Sequence, residues 1–301
     1  MPKKILFARR YYGFTGGHKK VLDYIQHVAS DPSWQVWLYL ESASKVSSGL
    51  FDNIKGVSYL TEYEPTGFDV IFLAGMDWEL YLPFYHPDHK IVNFIQHVRH
   101  AEPQQPLSKF LSNQATRLCV SDAVVDAIEP LVNGPVHKIR MGHTIPDLKS
   151  AKVVDVYILA NKQPELGKQL ADWAQSNGLK VVVDISTNSP ELVFANMASA
   201  RVTIALPPQT EGFYLPGIEA MKLSDVAVVP DCIANREYAS CTANIIVCDL
   251  EFDSCVNAIK KGLQLSHSLV GRFKKWNGKR VANSFSLIEE RKALLQILNS
   301  L

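Results

Sequence analysis

What most constrains this chain is a rhythm that runs through it twice: short continuous apolar runs, each followed by a stretch with apolar residues at helical spacing. KKILFAR, WQVWLYLES, DVIFLAG, KIVNFIQH and TRLCVS read as strands in the first half, and HKKVLDYIQHVAS and DAVVDAIEPLV as helices between them. These runs lack the in–out alternation of a half-exposed strand, so both faces must be covered, as in a parallel sheet packed between helices. The rhythm pauses at HKIRMGHTIPDLKSAK, a polar stretch with a proline, and then restarts. VVDVYILA, KVVVDI, RVTIALP, DVAVVPD and NIIVCD are the strands of the second half, and PELGKQLADWAQSNG is a helix ending near Gly178. The boundary is placed between Ile145 and Lys152, giving domains 1–147 and 148–301, with the amphipathic last segment SLIEERKALLQILNS packing back toward the first domain. A chain of 301 residues suits two domains of roughly 100–200 residues each. The expected fold is α/β: two doubly wound, Rossmann-like domains in series, with ligand bound at the carboxyl ends of the strands in the interdomain cleft.

Composition narrows the function. Hydrophobic residues make up 47% and charged residues 20%, which excludes a disordered chain. The formal charge of +1 argues against a dedicated nucleic-acid binder. The five cysteines, Cys119, Cys232, Cys241, Cys248 and Cys255, include no C-x-x-C pair, so neither a disulfide framework nor a zinc knuckle is expected. The opening MPKKILFARR lacks the longer apolar stretch of a secretory leader, and no run of about 18 apolar residues appears. A cytoplasmic setting is the expectation. HPDHK and HVRH each read H-x-x-H, through His86, His89, His97 and His100, but no carboxylate or cysteine cluster completes a metal site. YYGFTGG places Gly13, Gly16 and Gly17 at the wrong spacing for a dinucleotide G-x-G-x-x-G.

The chemistry concentrates in RVTIALPPQTEGFYLPGIEAMKLSDVAVVPD. A strand ends near Pro207, and Pro216 suits the first turn of a following helix. Free backbone amides from Gly212 to Leu215 at that helix start make an anion site. Glu211 precedes it and Glu219 lies one turn inside. Carboxylates cannot hold phosphate, but they accept hydrogen bonds from hydroxyl groups. A diphosphate between two polyols describes a nucleotide sugar.

EGFYLPGIEAM resembles the Glu-x7-Glu motif of retaining GT-B glycosyltransferases, the large family 4 and its relatives, where E-G-F-G-L-P-x-x-E-A-M is usual. Tyr214 stands where glycine is common. The resemblance covers most of the chain and implies a GT-B fold, with the acceptor on the first domain and the donor on the second. It implies Glu219 on the ribose hydroxyls and Glu211 on the donor sugar, with the 212–215 backbone (Gly212, Phe213, Tyr214, Leu215) at the diphosphate. Gly16 and Gly17 match the family's glycine pair after the first strand, and His97 matches a histidine near the transferred sugar. Ser121, in the VSDAV turn, reads as structural. The family's second domain opens with Gly-Arg and a later lysine holding the diphosphate; here Lys162 and Lys168 take those places, without arginine's bidentate fork.

The implied activity is metal-independent transfer of a sugar, with retention, from a nucleotide-sugar donor to a glycan or lipid-linked acceptor, in glycan or cell-surface polysaccharide synthesis. No cofactor is expected. The alternatives are a GT-B nucleotide-sugar epimerase and a glycosyltransferase-like binding protein without turnover, which Tyr214 and the missing arginine favour. Lys3, Lys4, Arg9, Arg10, Lys19 and Lys20, with Tyr11, Tyr12 and Phe14 beside them, are the expected route to peripheral contact with an anionic membrane.

Overall fold

The structure, a computed structural model, describes residues 2–13, 15–41, 49–208 and 211–301. The chain forms two compact units, Met1–Met141 with Leu287–Leu301, and Gly142–Ser286. The first contains β1 (Lys3–Arg9), α1 (Gly16–Ala29), β2 (Trp34–Leu40), β3 (Val57–Leu60), β4 (Val70–Ala74), α2 (Trp78–Tyr81), β5 (Lys90–Ile95), β6 (Thr116–Cys119), α3 (Asp122–Ile128) and β7 (Val136–Lys138). The second contains β8 (Val154–Leu159), α4 (Pro164–Ser176), β9 (Val181–Asp184), α5 (Pro190–Ser199), β10 (Ala200–Ala205), α6 (Leu215–Leu223), β11 (Val226–Pro230), β12 (Ile245–Cys248), α7 (Phe252–Ser266) and α8 (Leu269–Asn283). The last helix, α9 (Leu287–Ser300), belongs to the first unit.

Both sheets are parallel throughout the described strands. The first runs β3-β2-β1-β4-β5-β6-β7 and the second β12-β11-β10-β8-β9. Strand order reverses direction between β1 and β4 in one sheet, and between β8 and β10 in the other. At such a switch point the connections leave on opposite faces and open a crevice beyond the carboxyl ends of the strands. Gly16 and Gly17 follow β1, and the 211–219 segment follows β10, so each candidate motif emerges beside a switch point.

The strands are apolar because both faces are covered. Ile5, Leu6, Phe7 and Ala8 of β1 are all fully buried. In the second unit Val156, Ile158, Val202, Ile204, Val226 and Val228 pack with Leu170 of α4 and with Cys255 and Ile259 of α7. Helix starts are capped locally: Thr15 accepts from the His18 amide at 3.2 Å, and Ser121 accepts from the Val124 amide at 3.3 Å. No helix is read from the sequence over α5, α7 or α8, and no strand at β3 or β7. β3 is partly exposed along its length and β7 has three residues, so neither carries a continuous apolar run.

Helix α9 is held by a buried charge. Glu290 is 1% exposed, and its Oε2 lies 3.0 Å from both Lys20 Nζ and His27 Nε2 of α1. In the second unit α4 presses on β8 so closely that a Cβ at Gly167 would collide with the Ala160 methyl. Gly167→Ala in a free helix would gain about 0.5–1 kcal/mol from propensity. Here overpacking, which costs about 1–3 kcal/mol, outweighs that gain, so thermal denaturation of the variant is expected to show a lower Tm. A raised Tm would mean that the helix does not approach the sheet this closely.

Candidate functional site

In the second unit the segment after β10 turns into α6, with Tyr214 as its N-cap residue and Pro216 in the first turn. Tyr214 makes no side-chain cap, and no acidic residue occupies the first turn. Among the described residues the N–H groups of Gly212, Phe213, Tyr214 and Leu215 have no hydrogen-bond acceptor. The start of α6 therefore presents unspent donors and the positive end of the helix dipole.

The loop is fixed by aromatic packing. Phe213 is buried against Phe285 and Tyr238, with ring centroids 5.4 and 5.9 Å away. The Tyr238 hydroxyl donates to the Tyr214 carbonyl at 2.9 Å and lies where a Cβ on Gly217 would be. Only glycine leaves room for that hydroxyl over the first turn.

Glu219 is 8% exposed, and its Oε1 lies 2.6 Å from Nε2 of His143. The second carboxylate oxygen has no partner among the described residues. His143 comes from the polar stretch between the two sets of strands. That stretch is pinned by His143 N–H donating to the Phe285 carbonyl at 3.0 Å and by Lys222 Nζ donating to the Ile145 carbonyl at 2.7 Å. Phe285 thus supports Phe213 with its ring and His143 with its carbonyl. His143 leaves no signature beyond one histidine in a loop, so periodicity and motif spacing pass over it.

Further polar groups are buried nearby. Tyr157 of β8 donates to Asp184 at the end of β9, and burial followed by that bond raises the Tyr157 hydroxyl pKa. The Tyr214 hydroxyl is fully buried with no hydrogen-bond partner among the described residues. Burial raises its pKa strongly, and Cys232, Glu219, Glu211 and Tyr157 add to the effect, so it stays protonated as a donor. Glu211 is half-buried, its amide 3.4 Å from the Pro208 carbonyl.

The lysines sit differently. Lys162 is exposed in the turn between β8 and α4, where Gln163 Nε2 donates to the Pro207 carbonyl at 3.4 Å and ties that turn to the segment after β10. Lys168 is exposed on α4, 2.9 Å from Glu165. A solvent-exposed pair of this kind holds its lysine only weakly.

The first unit has its own cluster at the β1/β4 switch point. Arg9 is 5% exposed, pairs closely with Asp77 and lies 2.7 Å from Nδ1 of His18. Asp77 also accepts from the Arg10 amide at 2.9 Å and the Ala74 amide at 3.0 Å. Burial, with Arg9 adding repulsion, pushes the His18 imidazole down to about 4. With Nδ1 accepting from Arg9, neutral His18 carries its proton on Nε2. Gly17 packs against Gln96, whose Nε2 donates to the Gly17 carbonyl at 3.4 Å. His97, the next residue, is half-buried just past β5, so Gln96 bridges the glycine pair to it. Tyr11 is buried edge-on to His18, Tyr12 is exposed, and Phe14 lies outside the described residues. Arg9, Arg10, Lys19 and Lys20 all pair with carboxylates, and Lys3 lies over the Trp34 ring. No group of three or more His, Cys, Asp or Glu suited to a metal occurs among the described residues.

No family model matches this chain, and no curated protein matches it. Solved structures do. Sucrose-phosphate synthase from Thermosynechococcus elongatus aligns over 99% of this chain and 98% of its own, with a TM-score of 0.75 at 11% identity. Anabaena HepE, solved in complex with UDP-glucose, aligns over 99% of this chain and 100% of its own, with a TM-score of 0.73 at 14% identity. A glycosyltransferase from Rickettsia africae aligns over 99% and 98%, with a TM-score of 0.71 at 11% identity. These neighbours are GT-B glycosyltransferases, and this chain shares their fold of two parallel, Rossmann-like sheets. None of its helices among the described residues is long and apolar enough to cross a membrane.

The neutral His18 sets a pH dependence. Its folded pKa of about 4 lies below the ordinary histidine value of 6.5, so between those limits the unfolded chain binds more protons and stability falls as pH drops from 6.5 toward about 4. Melting temperatures across that range are expected to fall less steeply in His18→Gln than in the parent. Equal slopes would show that His18 is not held neutral.

Proposed function

We propose that the protein is a glycosyltransferase that binds a nucleotide-sugar donor on its second unit. The observation that carries this reading is the pairing, at one switch point, of amides at the start of α6 that find no acceptor among the described residues with the buried carboxylate of Glu219. Amides and helix dipole suit a diphosphate, and a carboxylate held at one oxygen by His143 offers the other to paired hydroxyls. The shared fold supports the reading, as does HepE, a neighbour solved with UDP-glucose.

In this reading Glu219 accepts from the ribose hydroxyls and Glu211 from the donor sugar. Lys162, Lys168 and the amides of Gly212, Phe213, Tyr214 and Leu215 hold the diphosphate. As the bond from the anomeric carbon to the diphosphate oxygen breaks, negative charge grows on the leaving group. Fixed donors and cations stabilise that charge without reorganising. From the first unit His97 is assigned to the transferred sugar, and Gly16 and Gly17 to backbone contact with donor phosphate or acceptor. We assign the acceptor, a glycan or a lipid-linked glycan, to the first unit and infer transfer with retention. Tyr214 stands where the motif usually has glycine, and its buried hydroxyl is a donor with no partner among the described residues.

Glu219→Ala tests the assignment. Losing a charged acceptor costs on the order of 1.5–3 kcal/mol per bond, so donor affinity by calorimetry is expected to fall roughly tenfold to a hundredfold while Tm without ligand stays near that of the parent. Unchanged affinity across UDP-, GDP- and ADP-sugars that bind the parent would remove Glu219 from the site.

Lysines and amides serving as the fixed positive charge imply that transfer survives EDTA. Loss of transfer in the chelator, restored by magnesium or manganese, would overturn that part of the reading.

A further inference from the structure

Helix α8 turns several large apolar side chains to solvent. Leu269 is 79% exposed, Val270 59%, Phe273 62% and Trp276 55%. Residues 269, 273, 276 and 280 follow i, i+4, i+7 and i+11 spacing and form one stripe along the helix. The opposite side is seated in the protein: Gly271, Gly278 and Ala282 are buried, and a Cβ at Gly278 would strike the Asn244 side chain. The stripe faces solvent because those glycines anchor the other side of the helix.

Five residues of α8 are basic, Arg272, Lys274, Lys275, Lys279 and Arg280, and none is acidic. Lys275 pairs with Asp225 beneath the helix, while among the described residues the other four form no ion pair. Helical spacing puts Arg272 and Lys279 along one flank of the stripe and Lys274 beyond Val270 on the other. Arg280 continues the stripe, its guanidinium 4.8 Å from the centre of the Trp276 ring, and Phe273 and Trp276 lie side by side at 6.0 Å. Near the helix, burial pushes the Lys152 ammonium down to about 8; Lys275 and Lys279 add repulsion, which Asp225 opposes.

An exposed aromatic and aliphatic stripe bordered by unpaired cations complements a surface that is apolar just beneath a layer of negative charge. We propose that α8 docks the protein on an anionic lipid bilayer, with Phe273, Trp276, Leu269 and Val270 entering the headgroup–acyl boundary and Arg272, Lys274, Lys279 and Arg280 meeting lipid phosphates. This surface is separate from the N-terminal basic residues, whose charges are largely taken up by Asp77, Glu41, Glu79, Asp23 and Glu290. It is also independent of the sugar-transfer reading.

Co-sedimentation of the full chain with vesicles tests the proposal. Vesicles of phosphatidylcholine alone are compared with an equimolar mixture of phosphatidylcholine and phosphatidylglycerol. Binding to the anionic vesicles is expected, weakening as salt rises, with a blue shift in tryptophan emission. Trp276→Phe should keep the binding and lose most of the shift. Phe273→Ser with Trp276→Ser, and separately Arg272→Gln with Lys279→Gln, should each weaken binding by about tenfold or more, with Tm near that of the parent. No binding at low salt, equal binding to both vesicles, or undiminished binding by both double variants would overturn it. A dimer in sedimentation velocity that the Phe273→Ser and Trp276→Ser variant dissociates would also overturn it, making the stripe a contact between copies.

Discussion

Both sheets are parallel, and a parallel sheet has to be covered on both faces. Its strands can then carry few polar groups, as the fully buried run Ile5, Leu6, Phe7 and Ala8 shows. Crossover helices supply the cover, and every loop from a strand into its helix emerges at the carboxyl edge. Polar chemistry is thereby confined to that edge. Reversal of strand order between β1 and β4, and between β8 and β10, then selects the two places where those loops part. Arg9, His18 and Asp77 gather at the first, and Glu219 with the start of α6 at the second.

Around Glu219 the order comes from packing as much as from polar bonds. Phe213 sits between Phe285 and Tyr238, Tyr238 reaches over Gly217 to the Tyr214 carbonyl, and Phe285 receives the His143 amide. His143 in turn holds one oxygen of Glu219. A buried carboxylate with a single fixed partner stays oriented while retaining capacity for a ligand. The unbonded amides at the start of α6 and the buried Tyr214 hydroxyl are polar groups that the described fold leaves unsatisfied, and unsatisfied buried groups mark where a partner belongs.

Charge is used in two contrasting ways. Near the N-terminus, basic residues are matched to carboxylates: Lys20 meets Glu290 and holds α9, and Arg9 meets Asp77 and steadies His18. On α8 four cations have no such match among the described residues and border exposed aromatics. A count of basic residues per segment does not separate the two regions, because it cannot register which charges are already neutralised. The pairing partners lie far away in sequence, Asp77 being 68 positions from Arg9 and Glu290 being 270 from Lys20.

The residues by themselves determined the α/β class, most of the strands and the placement of EGFYLPGIEAM between a strand and a helix. Those features depend on local periodicity and on burial of both strand faces, and they leave continuous apolar runs such as KKILFAR and RVTIALP. Short or partly exposed elements such as β3 and β7 bury too little to leave a run. Tertiary structure alone decided that His143 orients Glu219, that Tyr214 is buried with an unmet hydroxyl, and that Phe273 and Trp276 face solvent. No helix is read over 269–283 from the sequence, and a helical period alone does not say whether core or solvent lies against its apolar residues. Gly271 and Gly278 settled that, because only positions without a Cβ could approach Leu265 and Asn244 so closely.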